Sequence, residues 1–196
     1  MEILLDIASA FGLSTSAGLN AYIPLLTVAV LGRFTALVSL DAPWDALTSW
    51  WILALLAVLL VIEIFADKIP VVDTINDGIQ TFVRPTAGAI MFAATTQSTI
   101  NVHPVFAMAC GVILAGSVHA VKAGSRPVMS AATAGMADPV VSTIEDVIAT
   151  ITSFLAVIFP YLLVIWLILL ATLIYLLIRR HRQRRVTTLD RSVRNG

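Results

Sequence analysis

The chain has 196 residues, 59% of them hydrophobic and 12% charged, with a formal net charge of zero and a mean hydropathy of +0.95. Soluble domains run near half apolar and a quarter charged, so this composition excludes an ordinary soluble domain and points to a chain solvated by lipid. The zero net charge hides an asymmetry: residues 1–178 carry five basic side chains against eleven acidic ones, whereas the last 18 residues carry seven arginines and one acid.

The N-terminus, MEILLDIASA, has acids where a secretory signal needs lysine or arginine, so no cleaved signal peptide is expected. Residues 7–32 are free of charge, but Gly18, Asn20 and Pro24 interrupt them and predict a kinked or locally unwound first span. Asn20 offers both donor and acceptor there. Two readings stay open: Asn20 holds a freed carbonyl or a substrate group, or Gly18 permits close helix approach and Asn20 bonds across to a neighbour. The Arg33–Ser49 loop follows, with Trp44, Trp50 and Trp51 arranged like an interfacial belt. Trp50–Ala66 is the next span and carries Glu63 in its last turn. Residues 67–85 are too polar and short for an ordinary span and read as an interfacial helix or a re-entrant half-helix. Thr86–Asn101 is a weak span whose small residues place it inside the bundle.

Pro104–Val121 spans again and reaches His119, residues 122–138 form a connector, and Pro139–Phe154 is a further helix bearing Glu145 and Asp146. Ala156–Ile178 is the clearest span, with Arg179 and Arg180 directly after it. A basic tail beyond the last apolar run marks a cytoplasmic terminus, and residues 179–196 are expected to fray from helix into disorder. The fold class expected is all-α: one polytopic transmembrane bundle over residues 1–178, of about six spans, with both termini cytoplasmic. The lone Cys110 admits no internal disulfide.

One internal repeat is visible. Asp67-Lys68-Ile-Pro70-Val-Val-Asp73-Thr-Ile-Asn-Asp77 can be laid over Asp138-Pro139-Val-Val-Ser142-Thr-Ile-Glu145-Asp146, the first copy being two residues longer before the shared proline. Such duplication is a habit of transporter folds.

The candidate site residues follow from spacing. Glu63 and Asp67 are four apart, as are Asp73 and Asp77, so each pair shares a helix face, and Gln80 and Arg84 continue the second face as a polar stripe. The stripe faces either water at the interface or a cavity between spans, where ionisable groups usually handle ions, protons or substrate. Asp138, Ser142 and Glu145 or Asp146 line one face of a later helix. His119, Lys122 and Arg126 form a basic stripe, read as surface anchoring or as partners of the acids. Arg84 and Arg126 each precede a proline; proline favours a first helical position, and an arginine beside such an end suits an anion. No histidine pair stands at metal-ligand spacing, and no cofactor is expected. The Asp73-x-x-x-Asp77-Gly78 run invites comparison with the magnesium-binding motifs of intramembrane transferases, but Arg84 comes too late and the next acid is Asp138, so no enzyme is expected.

Glu63-x-x-x-Asp67-Lys68-Ile-Pro70-x-x-Asp73, Arg84-Pro85-x-x-Gly88, Ala17-Gly18-Leu19-Asn20 and Ser142-x-x-Glu145-Asp146 together resemble the bacterial membrane proteins grouped as a domain of unknown function, DUF4126. The resemblance covers roughly residues 5–178 and implies a small polytopic helical protein of the cell membrane with no activity attached. The functional expectation is a secondary transporter or channel-like carrier of the inner membrane, moving a cation, proton or small solute. Glu63, Asp67, Asp73, Asp77, Asp138, Glu145 and Asp146 are its candidate carboxylates, and Lys68, Arg84, Lys122, Arg126 and His119 their partners. A protein that binds phosphorylated lipid head groups, or a non-transporting assembly factor, are the alternatives. The bilayer is the expected partner, a homo-oligomer is left open, and no nucleic-acid partner is expected.

Overall fold

The computed structural model describes residues 2–67, 69–97, 102–133 and 136–194, with side chains at all of these except 2, 70, 71, 73, 74, 132, 177, 178 and 180–194. Among the described residues the chain is all-helical: α1 (Glu2–Leu19), α2 (Tyr22–Phe34), a short 3₁₀ turn (Trp44–Thr48), α3 (Trp50–Ala66), α4 (Pro70–Thr96), α5 (Pro104–Thr133), α6 (Asp138–Ile158) and α7 (Pro160–Arg194). Four of these helices open on a proline in their first two positions, namely Pro70, Pro104, Pro139 and Pro160. The missing N–H costs nothing there, and the fixed φ already suits a helix.

The uncharged stretch at residues 7–32 is two helices rather than one kinked span. The Ser9 hydroxyl donates to the Ala156 carbonyl, that of Ser16 to the Ala149 carbonyl, and the Asn20 amide to Asp146, so α1 runs antiparallel to α6. The chain then reverses. Ile23, Thr27 and Leu31 of α2 line one groove with Thr150 and Phe154 of α6, so α2 climbs back beside it. The cause is the Asn20 side chain, whose Oδ1 accepts from the backbone N–H groups of Tyr22 (3.0 Å) and Ile23 (3.2 Å). That is N-cap geometry, and it starts a new helix where composition alone shows only an interruption. One consequence corrects the expected topology: with the extra reversal, the chain's two ends lie at opposite ends of the bundle.

Two further expectations are corrected. Residues 70–96 form one continuous helix, so the polar residues 70–85 are not a separate half-helix but the first part of α4. Pro85 and Pro127 lie inside α4 and α5, so neither Arg84 nor Arg126 stands at a helix start, and most of the expected connector is helical. Among the described residues two helices are long and apolar enough to cross a bilayer, Pro104–Ala131 and Asp138–Ile158. Ile3–Leu19, Tyr22–Phe34, Trp50–Ala66 and Pro160–Leu176 are shorter apolar helices. The helix α7 continues through the arginine-rich tail to Arg194, a stretch without Gly or Pro.

Packing is tightest where α1, α4 and α5 meet. A Cβ on Gly18 would lie 2.6 Å from the Ala115 carbonyl oxygen, one on Gly88 would lie 2.7 Å from the Gly111 carbonyl oxygen, and Gly111 faces the Gly88 backbone in return. The Ser14 hydroxyl donates to the Gly88 carbonyl across the same seam (3.0 Å). Leu13, Ala17, Leu25, Leu53, Met91 and Ala115 fill the core beside it.

The surface is the reverse of a soluble protein's. Trp51, Phe65, Phe82, Val121 and Val128 are each more than 60% exposed, while Glu63, Asp67, Arg84 and Lys122 are buried to 3% or less. Apolar side chains face out and charges face in.

The glycine seam generates a direct test. Gly18→Leu and Gly88→Leu force bulk against backbone and should each lower the thermal stability of the purified protein, by about 1–3 kcal/mol. Gly78→Leu, where a Cβ meets nothing within 4 Å, should leave it unchanged.

Candidate functional site

Four helices bring their charged residues to one end of the bundle. The last turn of α3 supplies Glu63 and, just past its end, Asp67. The first half of α4 supplies Asp77, Gln80 and Arg84 on one face; α5 supplies His119, Lys122 and Arg126; α6 supplies Ser142 and Glu145. All are buried or nearly so, and the helical spacing read from the sequence is what aims each set inward.

Asp67 is the hub. Its Oδ2 lies 3.3 Å from Arg126, 3.4 Å from Lys122 and 3.8 Å from Arg84, and it accepts from the Ser142 hydroxyl at 3.4 Å. Its Oδ1 accepts from the Asn76 amide at 2.9 Å. Charge-assisted bonds are normally 2.7–2.9 Å, so this oxygen is shared among three cations rather than bound tightly to one. Each cation reaches a second carboxylate: Arg84 to Glu63 at 3.0 Å, Lys122 to Glu145 at 2.8 Å, and Arg126 to Glu145 at 3.4 Å and Asp77 at 3.7 Å. Lys122 also donates to the Leu19 carbonyl at 3.0 Å, at the C-terminal end of α1, where the helix dipole favours a cation. The basic stripe is therefore not surface anchoring. It is the counter-charge of the acids.

The remaining candidates take separate places. His119 Nδ1 lies 3.1 Å from Arg84 Nη1; a guanidinium only donates, so Nδ1 accepts and the ring proton sits on Nε2, directed at the Thr81 hydroxyl 3.1 Å away. Thr81 in turn donates to the Asp77 carbonyl at 2.8 Å. Asn20 donates to Asp146 at 2.9 Å, the bond across to a neighbour that one of its two readings expects, and its Oδ1 caps α2 by accepting from backbone N–H groups rather than holding a freed carbonyl. Asp138 is buried and accepts from the Ser130 hydroxyl at 2.7 Å. Lys68 and the side chain of Asp73 lie outside the described residues. Arg126 bridges two helices by touching both Asp77 of α4 and Glu145 of α6.

Sequence reasoning missed Thr81, Ser130 and Tyr22. The first two are hydroxyls one helical turn from charged residues, a signal too common to single out. Tyr22 packs into the site from α2, next to Gln80 and within the field of Glu63 and Arg84, and nothing in the sequence announces that the chain reverses there.

Four buried side-chain atoms of the site have no hydrogen-bond partner: Glu63 Oε2, Asp77 Oδ1, Gln80 Oε1 and Arg84 Nε. Orphaned buried polar atoms are rare because each costs the desolvation of a polar group. Among the described residues no three His, Cys, Asp or Glu side chains converge as metal ligands do.

Residues 7–180 match the family described as a domain of unknown function (DUF4126), and the chain belongs to that family. No curated protein and no solved structure matches it. The site's energetics are open to measurement. Asp67→Asn leaves three buried cations without their shared anion and should cost about 3–5 kcal/mol, the usual penalty for breaking a buried ion pair. Glu145→Gln should cost less, its partly exposed carboxylate being nearer solvent. In the Asp67→Asn background, Arg126→Gln should restore part of the loss, a coupling that a double-mutant cycle measures.

Proposed function

We propose that this member of the DUF4126 family is a multi-pass protein of the cell membrane that carries a cation or proton through its interior on the Glu63–Asp67–Glu145 network. The observation that carries the reading is the inverted polarity: apolar side chains cover the outside and ionised groups fill the inside. Hydrocarbon outside the bundle makes that arrangement favourable, and ionisable groups at such depth are costly unless they handle a charge. In this reading α5 and α6 cross fully, α1, α3, α4 and α7 cross with them, and α2 together with the 35–49 loop returns the chain to the outer face between α1 and α3. At 13 residues, α2 extends about 20 Å and stops short of the far face.

A polar track supports carriage rather than a purely structural role. At the end away from the charges, Asp6, Ser9, Ser39 and Thr95 help line a cavity of about 180 Å³. From it buried hydroxyls follow the α1–α6 seam: Ser9, then Ser16 hydrogen-bonded to Ser153 at 2.8 Å, then Asn20 and Asp146. The three cations of the site are already engaged by internal carboxylates, which favours the carboxylates over the basic set as the ligand-handling groups.

The arginine tail orients the molecule by the positive-inside rule. It lies at the charged end of the bundle, which in this reading faces the cytoplasm, while the N-terminus and the 35–49 loop face outward. With Cys110 replaced by alanine, an impermeant thiol reagent applied to intact cells should modify a cysteine placed at Ile3 or Asp45 and spare one at Ser192. Labelling at Ser192 alone would reverse the orientation. For transport itself, purified protein in vesicles should dissipate an imposed pH or monovalent-cation gradient faster than protein-free vesicles do, and Glu145→Gln should slow it. Equal rates with and without protein would remove the carrier.

A further inference from the structure

The carboxylates of the site do not share one role. Asp67 is held by three cations, a serine and an asparagine, and Glu145 by two cations. Glu63 is different. It is buried to 1%, its Oε1 accepts from Arg84, and its Oε2 meets no hydrogen-bond donor at all. Gln80, one helical turn from that same Arg84 and equally buried, has an acceptor oxygen that is also unpartnered. Both residues neighbour Tyr22, and each presents a buried acceptor that lacks a donor.

Charge points the same way. Among the described side chains Glu63 faces one ion-pair partner, Arg84, whereas Asp67 faces three cations and Glu145 two. In a low-dielectric interior an uncompensated charge is the costly element. We propose that Glu63 is the proton-binding group of this site, taking a proton on Oε2 from hydronium and presenting the resulting O–H to Gln80 Oε1. The step releases one water and leaves the remaining carboxylates with their cations. This inference rests on the carrier reading and names its ion.

The groups packed around Glu63 agree with that assignment. Tyr22 faces it from α2, Arg84 from α4, Lys122 from α5, and Asp67 from the end of its own helix, while His119 lies behind Arg84 and Asp77 beside Arg126. His119 is the obvious rival for the proton. Its Nδ1 accepts from Arg84, so protonating it would set two cations against each other and break that bond. Protonating Asp67 or Glu145 would weaken contacts to three or two cations at once, whereas Glu63 gives up the charge of one ion pair and keeps its hydrogen bond to Arg84 through Oε1.

Infrared difference spectroscopy of the full chain in vesicles, titrated with no gradient imposed, reads the proton directly. A carboxylic C=O band should grow as pH falls, vanish in Glu63→Gln, and survive in Glu145→Gln. Should Glu63→Gln fail to fold, Gln80→Leu decides instead: the band should move to higher frequency as its hydrogen bond is lost. A band that persists in Glu63→Gln, or stays in place in Gln80→Leu, overturns the proposal. So does the absence of any such band, which is the outcome if a water molecule bridges Glu63, Gln80 and Arg84 and the carboxylate stays ionised. Because no flux is involved, a band without transport removes the carrier and leaves the proton site, and transport without the band does the reverse.

Discussion

The Asp67 carboxylate, buried beside Arg84, Lys122 and Arg126, is the constraint on which the bundle depends. Taking these ions out of water costs several kcal/mol apiece, and only mutual attraction with full hydrogen bonding offsets it. Each cation comes from a helix other than the one that ends at Asp67. The network is therefore stable only when α3, α4, α5 and α6 are all in place, and it rewards that one arrangement rather than any single helix pair.

Close backbone packing makes the network possible. Lysine and arginine side chains reach Asp67 and Glu145 because α4 and α5 approach to the distance that Gly88 and Gly111 allow, and α1 is drawn against them by Gly18 and Ser14. With Leu19 at the end of α1 offering its carbonyl to Lys122, the seam and the charge cluster are two levels of one structure. Bulk in the seam would separate the helices and lengthen contacts that already sit at the long end of ion-pair distances.

What the sequence disclosed follows from periodicity, and what it hid follows from tertiary context. The stripes Asp77–Gln80–Arg84 and His119–Lys122–Arg126 were legible because helical spacing alone puts them on one face, and the acidic repeat marked the helix starts after Asp67 and Asp138. The inward direction of those stripes was not legible, since a polar face looks the same whether it meets water or an opposite charge. Residues 67–85 were misassigned for that reason: their polarity is matched by α5 and α6, not by solvent. The Arg-Pro pairs were misread because proline at a helix start and proline inside a helix look alike in sequence. The reversal at Asn20 escaped because a single side-chain cap decides it, and composition registers only a weak point in an apolar run.

The repeat sets a limit on how a carrier of this design can work. Asp67 and Asp138 both stand just before or at the start of a helix, and α4 and α6 run in the same direction from the same end of the bundle. The two segments that carry the motif thus run parallel, whereas those of inverted repeats run in opposite directions. Inverted repeats place equivalent gates at the two faces, and exchanging their conformations gives alternating access. Parallel copies instead stack their acids at one depth, which is why Asp77 and Glu145 meet the same arginine. In the proposed carrier the charged end therefore acts as a single site. Its link to the opposite face must run through the serine-lined α1–α6 seam, and not through a mirror image of the site itself.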